Sequence, residues 1–298
     1  MCQTHWRRRS RPPISRVVKT STRNPQATRP ARRRSRFGYD HQWWGEPAPV
    51  ADDRATSYWV MTRRPVPSLT FVAPILLAYE LGVVWIGGAS ADRLRTGADA
   101  WLRGGLAALG FTDRWLLPLG LVIALLLWQA KDRGAWRFRP IALLAMVGES
   151  LALAVALVGF SRLLDLGFVA LERSAAPMLA ASVGGHGPAA LLVGFLGAGV
   201  YEEMMFRLAL IPLFYGALRL LMTPSVLACS IAVTASSLLF SLAHHAGTPG
   251  EAFTWFAFIF RWLAGVYFAW VFVVRGFGVA VGTHTAYDLL VGWLGWHF

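Results

Sequence analysis

Cysteine is scarce in this chain of 298 residues, where it occurs only as Cys2 and Cys229. Cys2 lies in a basic segment and Cys229 lies inside an apolar run, so the sequence predicts neither a disulfide framework nor a cysteine metal site. The His-Glu-x-x-His spacing of helical zinc sites is also absent from the sequence.

Acidic residues are few as well, because 16 Asp and Glu stand against 29 Lys and Arg, which gives a formal net charge of +13. Hydrophobic residues nevertheless make up 55% of the chain. One water-soluble domain rarely combines such apolar bulk with such a charge, so the two must be segregated along the chain.

The basic charge is concentrated in residues 1–60, which hold thirteen Lys and Arg against four Asp and Glu. This segment has no apolar periodicity, so we predict a disordered, solvated tail that ends at residue 62. Its Arg-rich composition has three alternative explanations, which are a nucleic-acid arm, a patch for anionic lipid and a transit peptide. Because we predict a solvated tail, we expect no nucleic-acid partner. A further hypothesis starts translation at Met61, because Arg63 and Arg64 then precede the first apolar run directly.

From about residue 67 onward the chain is a series of apolar runs, and roughly 18 apolar residues are enough to cross a bilayer as a helix. We predict an all-α fold, a polytopic transmembrane bundle of seven or eight spans, with the eighth segment at residues 101–111. The seven predicted helices cover about residues 67–88, 115–130, 139–162, 188–219, 224–245, 250–274 and 277–297.

The densest basic loop lies between the second and third predicted helices and contains Lys131, Arg133, Arg137 and Arg139. Loops rich in Lys and Arg stay on the cytoplasmic side of a membrane. Two spans precede this loop, so the N-terminus is predicted to be cytoplasmic too.

Acidic and basic side chains inside the fourth predicted helix indicate a functional site, because a charge at the bilayer centre costs roughly 2.5–3.5 kcal/mol. Glu203 and Arg207 are four residues apart in the favourable order for an ion pair, and Glu202 is rotated about 100° away. The pattern predicts a clamp between Glu203 and Arg207 that leaves Glu202 able to act as a general base. The alternative is an ion pair that only fixes helix packing.

Two later helices contribute histidine at one-turn spacing. Phe240 is expected to pack beneath the imidazole of His244, which would otherwise be a hydrogen-bond partner between helices. Asp288 is expected to bind one nitrogen of His284 and leave the other for substrate, water or metal, unless the two form an internal polar pair. Three helices with such residues indicate one shared site, whereas Glu80, Glu149 and Arg261 are expected to pair near an interface or to snorkel.

The segments 202–207, 240–244 and 284–288 resemble, in this order along the chain, three motifs of the CPBP family of CAAX proteases and bacteriocin-processing enzymes. These motifs are Glu-Glu-x-x-x-Arg, Phe-x-x-x-His and His-x-x-x-Asn or Asp. The resemblance covers about residues 65–298, and we assign residues 63–298 to a CAAX-protease-like transmembrane domain. Short loops and compact size resemble prokaryotic members, which favours an integral multi-pass protein of a bacterial cytoplasmic membrane, in contact with lipid.

The resemblance implies an intramembrane endopeptidase in which Glu202 and His244 activate water, while His284 and Asp288 stabilise the oxyanion. The substrate would be a peptide or protein, either prenylated or leader-bearing. The family pattern assigns a supporting role to Glu203, Arg207 and Phe240.

Many members of the family carry Asn at the position of Asp288, which donates a hydrogen bond only when it is protonated. An ionised Asp288 would instead favour an imidazolium at His284, which can itself donate to the oxyanion. Members are described both as metalloproteases and as glutamate-type proteases. The sequence leaves both open, so a cofactor is not required, but Glu202, His244 and His284 are the side chains that would bind a divalent metal such as zinc.

Two functions without proteolysis remain as alternatives. The same residues can form a binding site for a partner segment in a membrane immunity or scaffold protein. Buried acids and histidines also serve proton-coupled transporters, although the sequence has no evident internal repeat of broken helices.

Overall fold

The computed structural model describes residues 58–132, 136, 138–172, 187–246 and 252–293. Within these ranges the chain is helical and contains no β-strand, which confirms the predicted all-α class. Residues 1–57, which make up most of the predicted tail, lie outside the described residues.

The described residues form ten α-helices and two π-helical segments. The π-helical segments are Glu203–Leu210 and Leu289–Trp293, and a 3₁₀ segment covers Gly88–Leu94. The α-helices are α1 (Tyr58–Met61), α2 (Pro65–Gly87), α3 (Gly97–Ala108), α4 (Leu116–Asp132), α5 (Ile141–Glu172), α6 (Pro188–Glu202), α7 (Ile211–Leu220), α8 (Ser225–Ala243), α9 (Trp255–Arg275) and α10 (Phe277–Asp288).

Five helical stretches in the described part of the chain are long and apolar enough to cross a membrane. They are Pro65–Gly87, Ile141–Phe168, Pro188–Leu220, Ser225–Ala243 and Trp255–Arg275. The other two predicted helices are present as α4, with 17 residues, and α10, with 12 residues, and α3 covers most of the proposed eighth segment. The helices are therefore found where they were predicted, but the count of seven or eight spans is not confirmed.

α10 lies at the centre of the bundle, where it packs against α2, α5, α6 and α9. Residues 277–286 of this helix are all buried. A helix that is covered on every side is expected only at a core position, and this position places residues near the end of α10 among the surrounding helices.

At one end of the bundle, four charged residues form what we call the α3 cluster: Glu80, Arg95, Asp99 and Arg103. Glu80 lies 3.4 Å from Arg95 and 2.9 Å from Arg103, measured between carboxylate oxygen and guanidinium nitrogen. Both arginines also pair with Asp99, at 2.8 and 2.6 Å. The hydroxyl of Tyr201 donates to Glu80, so the cluster joins α2, α3 and α6.

At the opposite end, Glu149 of α5 receives two hydrogen bonds from the guanidinium of Arg275, and together they form the Arg275 cluster. Arg275 also donates to Thr62 at 2.9 Å, and its guanidinium lies 4.1 Å from the ring centroid of Trp59. Burial and the adjacent Glu149 carboxylate raise the pKa of Tyr58, whose protonated hydroxyl donates to Glu149 at 2.5 Å. Glu80 and Glu149 are therefore both paired with arginine, as expected.

Candidate active site

Side chains from α6, α8 and α10 meet around the carboxylate of Glu202. Its Oε2 atom lies 3.9 Å from Nε2 of His244 and 3.7 Å from Nε2 of His284. The same His284 nitrogen is 3.7 Å from Oδ2 of Asp288. The four predicted catalytic residues, which come from three separate helices, are thus brought together at one place.

The two carboxylates stand where α-helical geometry changes to π-helical geometry. Glu202 is the last residue of α6, and the π-helical segment begins at Glu203. Asp288 is likewise the last residue of α10, and a second π-helical segment begins at Leu289. π-Helical turns are rare and are found frequently at functional sites. The residue types of the two segments did not predict either turn.

Behind Glu202, the carboxylate of Glu203 is completely buried and binds two partners through one oxygen. Its Oε1 atom is 3.0 Å from Nη1 of Arg207 and 2.8 Å from Nδ1 of His284. The predicted pair between Glu203 and Arg207 is therefore present, and it persists although the segment is π-helical. The contact with His284 was not predicted, because it joins residues 81 positions apart.

Arg207 is held on its other sides by the neighbouring helices. Its Nη2 donates to the carbonyl oxygen of Gly265 in α9 at 3.1 Å. The guanidinium also lies 4.4 Å from the ring centroid of Phe240 and 5.3 Å from that of Phe268. A buried guanidinium with aromatic faces and a carboxylate around it is retained by desolvated cation–π and ionic contacts, so the clamp ties α9 to the π-helical segment.

The imidazole of His284 is oriented differently from the sequence-based expectation. Asp288 was expected to form its hydrogen bond, but that distance of 3.7 Å is too long for one. Glu203 binds Nδ1 instead, and the ring stacks on Phe268 with centroids 4.5 Å apart and an interplanar angle of 10°. Nε2 therefore faces Glu202 and Asp288, and the buried clamp decides its direction.

His244 follows the last residue of α8, and two contacts with Phe240 set its orientation. Its Nδ1 lies 2.9 Å from the carbonyl oxygen of Phe240, and the two rings meet edge to face with centroids 4.9 Å apart. A carbonyl oxygen can only accept, so Nδ1 carries a hydrogen and Nε2 faces Glu202. The expected packing of Phe240 against the imidazole is thus observed.

Oε2 of Glu202 receives no direct hydrogen bond from any described residue, although that atom is buried. Only 14% of the side chain is exposed. Buried acceptors are normally satisfied, and a distance of 3.7–3.9 Å to each imidazole nitrogen is longer than a hydrogen bond. Such an oxygen is positioned to bind a water molecule or a substrate group.

Arg261 of α9 is a charged residue that was not expected at this site. We expected it to snorkel or to pair near an interface, and its burial excludes snorkelling to solvent. It lies close enough for its charge to act on both Glu202 and Asp288. The only signal in the sequence is a single arginine within an apolar run, and such a signal does not reveal which residues the side chain faces.

Gly199 allows α6 and α10 to approach each other beside the site. A Cβ atom at this position would overlap the hydroxyl of Thr285 and lie 3.0 Å from its backbone nitrogen. Thr285 follows His284 directly, so the absence of a side chain at Gly199 lets His284 reach Glu203.

The same residues can be tested as ligands for zinc. Two ligands of one tetrahedral zinc, each about 2.0–2.1 Å from the ion, lie about 3.3 Å apart, whereas Glu202 is 3.7 and 3.9 Å from the two imidazoles. Within the described ranges, no group of three His, Cys, Asp or Glu is arranged to hold a metal ion. Arg207 and Arg261 also place positive charge beside Glu202, which opposes a dication. As they are placed, these residues lie farther from one another than the ligands of one tetrahedral zinc.

Residues 185–290 match the family model described as type II CAAX prenyl endopeptidase Rce1-like. The matched segment contains every residue of the cluster described above, from Glu202 to Asp288. No curated protein and no solved structure matches the chain. The family description and the apolar helices together indicate a protease that is an integral multi-pass membrane protein. The predicted resemblance to the CAAX protease family is thus confirmed over residues 185–290.

Proposed function

We propose that the protein is an intramembrane endopeptidase in which Glu202 and His244 activate a water molecule for attack on a peptide carbonyl. The observation that carries this proposal is the convergence of two imidazole Nε2 atoms on the unsatisfied Oε2 of Glu202, at 3.7 and 3.9 Å. A water molecule at this point would be hydrogen-bonded by a general base and oriented by an imidazole, which is the arrangement that general-base catalysis needs.

In the first step, the water oxygen forms a bond to the carbonyl carbon while Glu202 accepts the water proton. The carbonyl becomes a tetrahedral oxyanion. His284, acting as an imidazolium whose Nδ1 is held by Glu203, donates from Nε2 to that oxyanion. Asp288 acts in this proposal through its charge on His284, since an ionised carboxylate has no hydrogen to donate.

In the second step, the bond between the carbonyl carbon and the peptide nitrogen breaks. The proton taken up by Glu202 is delivered to the departing amine, and His244 relays it through Nε2. Both products leave neutral overall, and Glu202 and His244 return to their starting protonation states. Arg207 and Glu203 stay paired throughout and hold His284 in place.

The direct test is cleavage of a membrane-proteome peptide library by the purified protein in detergent, supplemented with prenylated and leader-bearing peptides. Glu202→Gln and His244→Ala should abolish cleavage while leaving the thermal unfolding profile unchanged. A zinc chelator should not change the rate of the wild-type protein, because the proposed mechanism uses no metal. If the chelator abolishes cleavage by the wild-type protein, the protease is metal-dependent. If the wild-type protein cleaves none of the peptides, a binding or immunity role is favoured.

A further inference from the structure

One side of α9 is turned toward the candidate active site. The carbonyl oxygen of Gly265 accepts a hydrogen bond from Arg207 at 3.1 Å, and about one turn later the ring of Phe268 stacks on the imidazole of His284. Arg261 precedes Gly265 by four residues and Phe268 by seven, and residues at these spacings share one side of an α-helix. Arg261 therefore lies on the side of α9 that faces the site.

Ring contacts show how α9 and α10 are aligned. Phe268 of α9 contacts His284 of α10. Phe260, which comes earlier in α9, contacts Tyr287, which comes later in α10, and their ring centroids are 6.2 Å apart. The two helices therefore run antiparallel, and the residue after Phe260 is level with the residue after Tyr287.

These two residues are Arg261 and Asp288. Arg261 is only 9% exposed, and its charge acts on the carboxylates of both Asp288 and Glu202. One oxygen of each carboxylate lies 3.7 Å from the same nitrogen of His284, so at most twice that distance separates the two oxygens. Arg261 is thus buried beside two carboxylates that are close to each other.

The balance of charge around His284 requires this arginine. The carboxylates within 4 Å of the imidazole are those of Glu202, Glu203 and Asp288. Arg207, which is bonded to Glu203 at 3.0 Å, supplies one positive charge, and an imidazolium at His284 supplies a second. A buried charge without compensation is strongly destabilising. Arg261 supplies the third positive charge, so that the three carboxylates are balanced.

We propose that Arg261 is a positioning residue, which acts on the reaction by holding the carboxylates of Glu202 and Asp288 side by side at His284. Like charges at such a distance repel each other, so without Arg261 the two carboxylates move apart, and Glu202 leaves the position where it meets both imidazoles. This effect on cleavage rests on the proposed function. The charge pairing between Arg261 and Asp288 does not, because it is a property of the folded protein.

The kinetic test is a double-mutant cycle on the purified protein in detergent, with a peptide that the wild-type protein cleaves. Arg261→Met should lower kcat and leave KM nearly unchanged, because Arg261 acts through the carboxylates and not on the substrate. In the Asp288→Asn background one of the repelling charges is absent, so the loss of kcat should be smaller by a factor of about 2–150. A KM that rises at constant kcat would make Arg261 a substrate-binding residue, and equal losses in both backgrounds would separate it from Asp288. Either result overturns the proposal.

Two matched variants exclude net charge and packing as the cause. Arg261→Lys keeps the positive charge and should retain most of the wild-type kcat. Arg261→Met with Asp92→Asn removes the same two charges, but the side chain of Asp92 is 95% exposed in the 3₁₀ segment, so this protein should be as slow as Arg261→Met alone. Recovery with Asp92→Asn as large as with Asp288→Asn would overturn the pairing, and so would an Arg261→Lys protein as slow as Arg261→Met.

Thermal unfolding of the same variants tests the pairing without catalysis. Arg261→Met should lower the unfolding temperature, and Asp288→Asn should restore part of it in the double variant. Losses that simply add would overturn the proposal, as would an Arg261→Met protein that folds neither alone nor with Asp288→Asn, because its role would then be packing. If the wild-type protein cleaves no peptide, the protease function fails, and the unfolding temperatures still decide whether Arg261 and Asp288 are paired.

Discussion

The α3 cluster and the active-site residues around Glu202 both combine buried carboxylates with arginine, but the hydrogen bonding of their carboxylates differs. In the α3 cluster, both oxygens of Glu80 and both oxygens of Asp99 receive a hydrogen bond from arginine. In the active-site cluster, Oε2 of Glu202 and Oε2 of Glu203 are buried and receive none from the described residues. A satisfied buried carboxylate fixes helices in place, whereas an unsatisfied oxygen such as Oε2 of Glu202 keeps binding capacity for a reactant. Glu203 is intermediate, because its Oε1 is paired with Arg207 and His284 while its Oε2 is not.

Substitution of Glu202 should separate these two roles most strongly. Glu202→Gln keeps the size and removes the proton acceptor, so we expect cleavage to fall by about 10²–10⁴-fold, the range for general acid–base catalysis. The unfolding temperature in detergent should not fall, because no arginine depends on this side chain for a direct hydrogen bond. Initial rates and a thermal melt measure the two effects. Cleavage at the wild-type rate would remove Glu202 from the chemistry.

Substitution of Glu203 should have the opposite profile. Glu203→Gln leaves the buried guanidinium of Arg207 without its counter-charge, and breaking a buried pair from one side costs about 3–5 kcal/mol. We expect a lower unfolding temperature and reduced folded protein after extraction. The double variant Glu203→Gln with Arg207→Met removes both charges and should recover part of that stability. A Glu203→Gln protein as stable as the wild type would show that the pair is not a structural clamp.

Gly199 tests whether close approach of α6 and α10 is needed to place His284. Gly199→Ala puts a methyl group against Thr285, and such overpacking costs about 1–3 kcal/mol. The matched control is Gly194→Ala in the same helix, where an added Cβ meets no described atom within 4 Å. We expect lower stability and slower cleavage for the first variant only. Equal effects of the two variants would point to helix propensity rather than to the contact with Thr285.

The smallest expected effect on cleavage is at Tyr201, which links the two clusters because it donates to Glu80 and precedes Glu202. Tyr201→Phe removes one hydrogen bond to a carboxylate that keeps both arginine partners. The expected loss of stability is about 1–3 kcal/mol, with cleavage reduced less than in the Glu202 variant. Thermal melts and steady-state kinetics measure the difference. A loss of activity as large as that of Glu202→Gln would mean that the α3 cluster takes part in positioning the reactive carboxylate.

Several elements of this structure could be predicted from spacing along the chain. The pair between Glu203 and Arg207 and the contact between Phe240 and His244 join residues four positions apart, and such pairs meet on a helix whatever surrounds it. The helices themselves follow from long apolar runs, which is why the predicted positions agree with α2, α4, α5, α6, α8, α9 and α10. The number of membrane spans could not be obtained in this way, because α4 with 17 residues and α10 with 12 residues are both shorter than the roughly 18 residues that a span needs.

Other features required knowledge of which helices are neighbours. His284 was expected to bind Asp288, the nearest carboxylate along its own helix, but it binds Glu203 from another helix. Arg261 was expected to snorkel or to pair near an interface, but it is buried and its charge acts on Glu202 and Asp288. For His284 an interhelical contact prevailed over the local one, because a central helix such as α10 has partners on every side.

The sequence by itself determined that this chain is a bundle of apolar helices, that acids and histidines lie within them, and which of those residues form pairs one turn apart. Hydrophobic periodicity and fixed helical spacing are local properties, so no tertiary information was needed. Only the tertiary structure decided that Glu202 lacks a direct hydrogen-bond partner at Oε2 among the described residues, and that Glu203 orients His284. These properties depend on distances between helices far apart in the chain, and such distances are set by packing of the whole bundle.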